Sequence, residues 1–413
     1  MKLIKTSFFT SISTAVTFIS GFIVTKYVAV KIGPTGMTYV GQYQNIIAII
    51  VMLSTLAITT GVVKYLAQHT DEKEKKEQII NTALIIILIT SLFLSLCVII
   101  AKSFLSNLVF HSSNFSDVFF LYGFFVTIIA VNTLIGAIYN GLKEIKYLTA
   151  INITGSIAGV AFTVFFAYKL QVKGVLIANN FTALVIFIVN LIILRKRKFF
   201  TLKPVFAKFN KSSAKLLFGF TAIGIVSGLV MPLSQIAIRN KIIVSFSTTE
   251  AGWWQAITKI SDYYLAFITT VLSIYYLPRL SEIKTKTELR QEIINGYKIV
   301  LPVVGCMALA IWISRIWVVH IVFSKDFLPM TSLFTFQLLG DFFKMGSWLL
   351  GYILIAKAEI KLIIITEILF SISLVILSYF FINKYGIIGT TYAFCINYAF
   401  YWISMAVVTK KYF

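Results

Sequence analysis

The stretch "FQLLGDFFKMGSW", residues 336–348, places Asp341 and Lys344 inside an almost unbroken apolar run that extends from Met330 to Ile355. A run of that length reads as a membrane-crossing helix, because roughly 20 mostly apolar residues span the hydrocarbon layer. Residues three apart on a helix lie on one face. Charges at that depth are costly, and they face each other, a protein interior or a water-filled cavity. Two readings follow: an ordinary helix with a buried ion pair, or one wall of a working interior.

The rest of the chain supplies the context. Its 413 residues are 59% hydrophobic and 13% charged, with a mean hydropathy of +0.90, whereas a soluble domain averages about 45–50% apolar and about 25% charged. The excess extends along the whole length, so the expected fold is all-α and polytopic. Twelve apolar runs can be marked, at 6–30, 40–67, 79–102, 117–140, 147–169, 174–194, 215–239, 251–278, 294–314, 328–356, 361–382 and 386–408. They are too long for barrel strands, and a helix satisfies its backbone groups within one segment in lipid. The first run has a basic start but continues to Val30, too far for a signal-peptide core, so it reads as an uncleaved span. Cys97, Cys306 and Cys395 lie far apart in apolar runs and show neither disulfide nor metal spacing.

The net charge of +22 sits mostly in short loops. It therefore reads as topology and as contact with anionic phospholipids, not as nucleic-acid binding. With the N-terminus in the cytoplasm, the clusters Lys73, Lys75 and Lys76, Arg195 to Lys198, and Lys284 and Lys286 all fall inside, and the outer loops are sparse in Lys and Arg. That bias predicts cytoplasmic N- and C-termini. The basic stretch 195–214, which contains Pro204, reads as a cytoplasmic linker between six-helix lobes at 1–194 and 215–413.

The lobes repeat. Gly41, Gln44, Ile46, Thr59, Tyr65 and Leu66 match Gly252, Gln255, Ile257, Thr270, Tyr276 and Leu277 at one constant offset, and "EIK" at 144–146 recurs at 359–361. Gly174 opens the sixth run as Gly386 opens the twelfth. Six spans per lobe make the repeat parallel, an architecture of alternating-access transporters whose substrate path lies between the halves.

Ionisable groups within spans are few: Lys26, Lys64, Lys259, Asp262, Lys298, Asp341, Lys344 and Glu367, with Arg239 at a span end. Lys64 and Lys298 lie near span ends and can snorkel. Lys26 and Arg239 occupy related places near the outer ends of the first and seventh spans. Gln255, Lys259 and Asp262 share one helix face, with Asp262 roughly 17 Å into its span. Glu367 is a partner for Lys344 or a proton site. By the repeat, Lys259 and Asp262 correspond to Ala48 and Val51, and Asp341 and Lys344 to Val126 and Ile129. The first half offers neutral groups instead: Gln42, Gln44, Asn45, Asn132, Asn179 and Asn180. A slightly cationic interior favours an anionic solute or a diphosphate headgroup. Absent are a phosphate-binding GxxxxGK[ST] loop, a deep histidine and a long outer loop, which argues against an ATPase and against a membrane-embedded glycan polymerase or acyltransferase.

Three segments carry a family resemblance: "KYVAVKIGPTGMTYVGQYQNI", "GWWQAITKISDYYLAFITTVLSIYYLPRLSEI" and "FQLLGDFFKMGSWLLGYILIAKAEIK". They resemble the Wzx family of bacterial lipid-linked oligosaccharide flippases, most of all the subgroup that includes the enterobacterial common antigen lipid III and O-antigen flippases. The resemblance implies two six-helix lobes around a central cavity, as in multidrug and toxin extrusion transporters. It implies movement of an undecaprenyl-diphosphate-linked oligosaccharide between leaflets of the bacterial inner membrane, by a monomer without enzymatic activity or cofactor. It carries over to Lys26, Arg239, Lys259, Asp262, Asp341 and Lys344 as cavity charges. Lys26, Arg239, Gln255, Lys259 and Lys344 are the expected substrate-binding residues. Asp262, Asp341 and Glu367 are the expected ion-coupling or ion-pairing residues, with H⁺ or Na⁺ as the driving ion. A glycan polymerase and a chain-length regulator are the expected partners, and a multidrug or cation antiporter of the same fold is the rival reading.

Overall fold

The long apolar runs fold as helix, and a few of the helices begin at a side chain that caps them. The computed structural model describes residues 2–69, 72–197, 209–219, 221–357 and 359–413. The first half contains α1 (Lys2–Lys31), α2 (Gly33–Thr55), α3 (Thr59–Gln68), α4 (Lys73–Ile100), α5 (Lys102–Phe110), α6 (Ser116–Gly141) and α7 (Ile145–Arg197). After α8 (Lys211–Phe218) come α9 (Thr221–Ser245), α10 (Thr248–Val271), α11 (Leu277–Glu282) and α12 (Lys286–Ile313). The chain closes with α13 (Arg315–Val322), α14 (Phe334–Ala356), α15 (Ile360–Tyr385) and α16 (Ile388–Thr409). Ser247 Oγ accepts from Glu250 N at 3.1 Å to start α10, and Thr285 Oγ1 accepts from Glu288 N at 3.3 Å to start α12. Both are Ser/Thr-x-x-Glu starts, in which the side chain satisfies an otherwise orphaned amide.

Among the described residues, eight helices are long and apolar enough to cross a membrane, or nine if the bent pair α2 and α3 is one span. This is a multi-pass membrane protein. The 53-residue α7 is counted once there but consists of two helices joined at Gln171 (φ 50°, ψ −128°). Helices α9 and α10, expected to be spans, are not among the eight, and α10 carries Glu250, Lys259 and Asp262. Most of the basic linker, at 198–208, lies outside the described residues.

The chain divides into two compact units, Met1–Lys31 with Tyr39–Pro232, and Ile32–Thr38 with Leu233–Phe413. The first is packed around Ile58, Leu66, Ile87 and Leu134, and around an aromatic cluster of Tyr43, Phe110, Phe119 and Tyr122. In the second, α14 is embedded against α16. A Cβ on Gly340 would lie 2.4 Å from the Phe394 ring, and one on Gly346 2.5 Å from Trp402, so only glycine permits this approach. Large apolar side chains such as Phe93 and Ile372 remain on the outer faces of α4 and α15, as a lipid-facing surface requires.

The repeat appears in the backbone itself. Gln171 is matched by Gly386 (φ 70°, ψ −154°) between α15 and α16. A Cβ on Gly174 would lie 2.1 Å from Phe166 O, and a Cβ on Gly389 the same 2.1 Å from Phe381 O. Gly174 therefore corresponds to Gly389, not to Gly386 as its place in the sequence suggested, because these two glycines are where the flanking backbones touch.

The second long helix of each half is interrupted. Leu56 and Ala57 adopt φ 48° and 52°, and α3 continues at 51° to α2. Thr90 Oγ1 donates to Ser54 O at 2.6 Å and so satisfies a carbonyl near the break. In the other half, a π-helical turn, Leu272–Tyr276, separates α10 from α11.

Candidate functional site

In the second unit, charge is buried with specific partners. Arg239 on α9 is fully buried. Its Nη2 donates to Gln255 Oε1 on α10, and its guanidinium carbon lies 5.4 Å from the Trp254 ring centroid. A cation out of water needs such compensation.

Asp341 on α14 is 0% exposed. Its Oδ2 accepts from Ser261 Oγ at 2.6 Å and from Tyr264 Oη at 2.8 Å, both on α10. Gln337, one turn before Asp341 on α14, donates from Nε2 to Ser261 Oγ at 3.1 Å. Asp341 Oδ1 and Gln337 Oε1 are buried acceptors with no hydrogen-bond partner among the described residues. Lys344 Nζ lies 5.1 Å from the Trp348 ring, 5.6 Å from Tyr398 and 5.9 Å from Phe394. Among the described residues, no ion pair joins Asp341 to Lys344 or Lys259 to Asp262. The buried-ion-pair reading of "FQLLGDFFKMGSW" therefore gives way to a hydroxyl-bound carboxyl and an aromatic-bound ammonium on one helix.

The expected site residues do not all meet. Gln255, Lys259 and Asp262 share a face of α10, but Gln255 is buried, Lys259 half-buried and Asp262 exposed. Lys26 is exposed on α1 in the first unit, and Glu367 is half-buried on α15. Sequence reasoning missed Ser261, Tyr264, Gln337 and the ring set around Lys344. Gln337 was within reach, being a polar side chain in an apolar run with i, i+4 spacing to Asp341.

The first unit is built differently. A cavity of about 1030 Å³ is lined by α1, α2, α3, α6, α7 and α9, and among the described residues none that lines it is Asp, Glu, Lys, Arg or His. A second cavity of about 580 Å³ shares Thr17, Thr133, Gly155, Ser156, Asn179 and Thr182 with it. Gln44 and Asn179 line the larger cavity, and Asn132 and Asn179 the smaller. Asn132 is fixed by its own contacts: its Nδ2 donates to Ala183 O at 2.8 Å, and its Oδ1 accepts from Asn190 Nδ2 at 3.1 Å.

A helical multi-pass protein with buried charges in one unit and, in the other, a cavity where hydroxyls and amides stand among apolar side chains belongs with membrane transporters, and solved structures agree on the fold. The chain superposes on an inward-facing multidrug resistance MATE family transporter of the MOP superfamily with TM-score 0.74, at 15% identity, covering 97% of this chain and 94% of that one. It superposes on the lipid II flippase MurJ in an inward closed conformation with TM-score 0.74, at 14% identity, covering 98% and 87%. Residues 3–284 match the model of the polysaccharide biosynthesis protein family, and the chain belongs to that family. Over 402 residues it is 29% identical to the lipid III flippase of Escherichia coli (strain K12), covering 97% of this chain and 96% of the relative. It has the same identity and coverage to the lipid III flippase of Shigella flexneri. The resemblance read from the sequence holds along nearly the whole chain.

Proposed function

We propose that this protein is a flippase for an undecaprenyl-diphosphate-linked oligosaccharide, moving it from the cytoplasmic to the periplasmic leaflet by alternating access. The observation that supports this most is a polar interior in a chain similar over 97% of its length to a lipid III flippase. A glycan with a diphosphate cannot cross about 30 Å of hydrocarbon unaided, because its polar groups would lose their water. A polar path carries the headgroup while the tail stays in lipid. The protein is a transporter, not an enzyme.

Lys26, Arg239, Lys259 and Lys344, with Gln255, are the proposed diphosphate contacts. Lys344 is the best placed by chemistry, since its ammonium rests on rings and has no carboxylate in ion-pair range among the described residues. Asp262, Asp341 and Glu367 are the proposed coupling groups. A buried carboxylate without a paired cation is costly unless it takes up a proton or a metal cation. One proton on Asp341 Oδ1, donated to Gln337 Oε1 one turn away, would satisfy both orphan acceptors. The proposed setting is the inner membrane, with cytoplasmic termini, anionic phospholipids at the basic loops, a monomeric protein, and a glycan polymerase and chain-length regulator acting on the product.

The test is headgroup translocation in proteoliposomes holding lipid-linked oligosaccharide, with imposed pH or Na⁺ gradients. Movement across the bilayer that falls about tenfold or more in Lys344→Gln supports the reading, as expected when a charge-assisted contact to phosphate is lost. Export of cationic dyes without glycan movement would make it an antiporter instead.

A further inference from the structure

We infer that the cavity of the first unit is a seat for uncharged sugar rings, chemically distinct from the charged cluster of the second unit. The inference deepens the flippase reading and rests on it for the source of the sugar. Four observations carry it.

The first is what the cavity lacks. At about 1030 Å³ it exceeds the roughly 300–1,000 Å³ of most small-ligand sites. Among the described residues, no Asp, Glu, Lys, Arg or His lines it. A diphosphate would find no cation there, and a cationic drug no acid.

The second is what the cavity offers. Hydroxyls and amides enter from several helices, including Thr17 and Ser20 on α1, Gln44 on α2 and Thr133 on α6. They are set among apolar side chains such as Val24, Ile47, Val51 and Met52; Thr133 Oγ1 donates to Ile129 O at 2.8 Å and Thr17 Oγ1 lies 3.1 Å from Ser156 Oγ, so these hydroxyls still present oxygens able to accept. A neutral sugar ring donates to those oxygens and rests its C–H faces on the apolar side chains.

The third is Asn179. On α7 its neighbours Ala178 and Asn180 are buried while Asn179 is exposed, and it lines both cavities. Thr182 follows at i+3 on the same face. Its hydroxyl donates to Ala178 O at 3.0 Å, which leaves its oxygen free to accept. Together the pair presents an amide and an acceptor oxygen, the combination that adjacent sugar hydroxyls bind.

The fourth is the break in α2. Non-helical backbone at membrane depth is tolerated where it is covered by protein or lines a polar cavity. Thr55, Ala57, Thr59 and Thr60, on either side of the break, all line the larger cavity.

The experiment uses the full chain in nanodiscs and two soluble probes, N,N′-diacetylchitobiose and inorganic pyrophosphate, observed by saturation-transfer NMR. The disaccharide should bind the unaltered chain in a salt-insensitive way. Asn179→Ala with Thr182→Val should weaken it by about tenfold, the scale of one or two lost hydrogen bonds, while Lys344→Gln leaves it unchanged. Pyrophosphate should show the reverse pattern, and its retained binding shows that the double variant is folded. The inference falls if the disaccharide gives no transfer, or if Lys344→Gln rather than the double variant abolishes it. A chain that binds the disaccharide through Asn179 yet moves no lipid-linked glycan overturns the flippase reading and leaves the seat standing. Unchanged glycan movement in the double variant overturns the seat alone.

Discussion

Residues 166–174 and 381–389 make the same turn from different residues, and this is the clearest place to compare the two halves of the chain. In each, a glycine touches a carbonyl eight residues earlier, and a residue three positions before that glycine adopts positive φ. Elsewhere the halves diverge. Where the second half has Asp341 and Lys344, the first has Val126 and Ile129. Where Ser261, Tyr264 and Gln337 surround the carboxyl, the repeat places Ile50, Leu53 and Tyr122. Backbone contacts are shared because they define the fold, while interior chemistry is free to differ because either solution can be buried.

The largest expected effect tests the shared part. Gly174→Ala and Gly389→Ala each put a Cβ 2.1 Å from a backbone carbonyl, which cannot be relieved by a rotamer change. Both variants should lose about 3 kcal/mol or more and yield little folded protein, read by thermal unfolding of detergent-purified chains. If one glycine tolerates alanine and the other does not, the two turns are not equivalent and the backbone argument for the repeat fails.

A smaller effect tests the divergent part. Asp341→Ala orphans the hydroxyls of Ser261 and Tyr264 and should cost about 2–3 kcal/mol. Asp341→Asn keeps an oxygen for those hydroxyls and supplies an N–H for Gln337 Oε1, so its stability should stay within about 1 kcal/mol of the parent. It cannot exchange a proton, however, so glycan movement should lose its response to a pH gradient. An Asp341→Asn protein that still follows the gradient would remove Asp341 from the coupling role. In the other half, Val126→Asp should destabilise about as much as Asp341→Ala, because Ile50 and Leu53 offer the new buried carboxyl no hydroxyl and Tyr122, one turn before it, offers at most one.

How much of this was legible follows from which physics each feature expresses. Spans are set by hydropathy, a property of the sequence alone, so the helical, multi-pass fold could be read directly. Asp341 and Lys344 were legible because charge stands out in an apolar run. Their partners were not, because Ser261 and Tyr264 are ordinary in spans and the rotation of one helix against another is decided by packing. The break at Leu56 and Ala57 carries neither glycine nor proline within it, so no turn signal marks it. The first-unit cavity was hidden for a similar reason: scattered Thr and Ser side chains give no local pattern, and Asn179 shows its exposure only once α7 is folded.

The smallest expected effect returns to the turn and compares Gln171 with Gly386. Both sit at positive φ with strongly negative ψ, a region that glycine enters freely and other residues enter only under strain of about 1–3 kcal/mol. The second half uses glycine there and the first does not. Gln171→Gly should therefore stabilise the chain by about 1 kcal/mol, the relief of strain exceeding the extra entropy glycine gives the unfolded state. Gly386→Ala should destabilise by a similar amount. The nearest atom to a Cβ there, a ring carbon of Phe246, is 4.0 Å away, so the cost comes from backbone conformation and not from a clash. Thermal unfolding of both variants in one detergent reads the pair. Opposite signs mean that the turn geometry is imposed by the glycine contact behind it and that Gln171 merely endures it. A destabilised Gln171→Gly would instead mean that the glutamine side chain, exposed at the turn, is held there by an interaction that the glycine-bearing half does without.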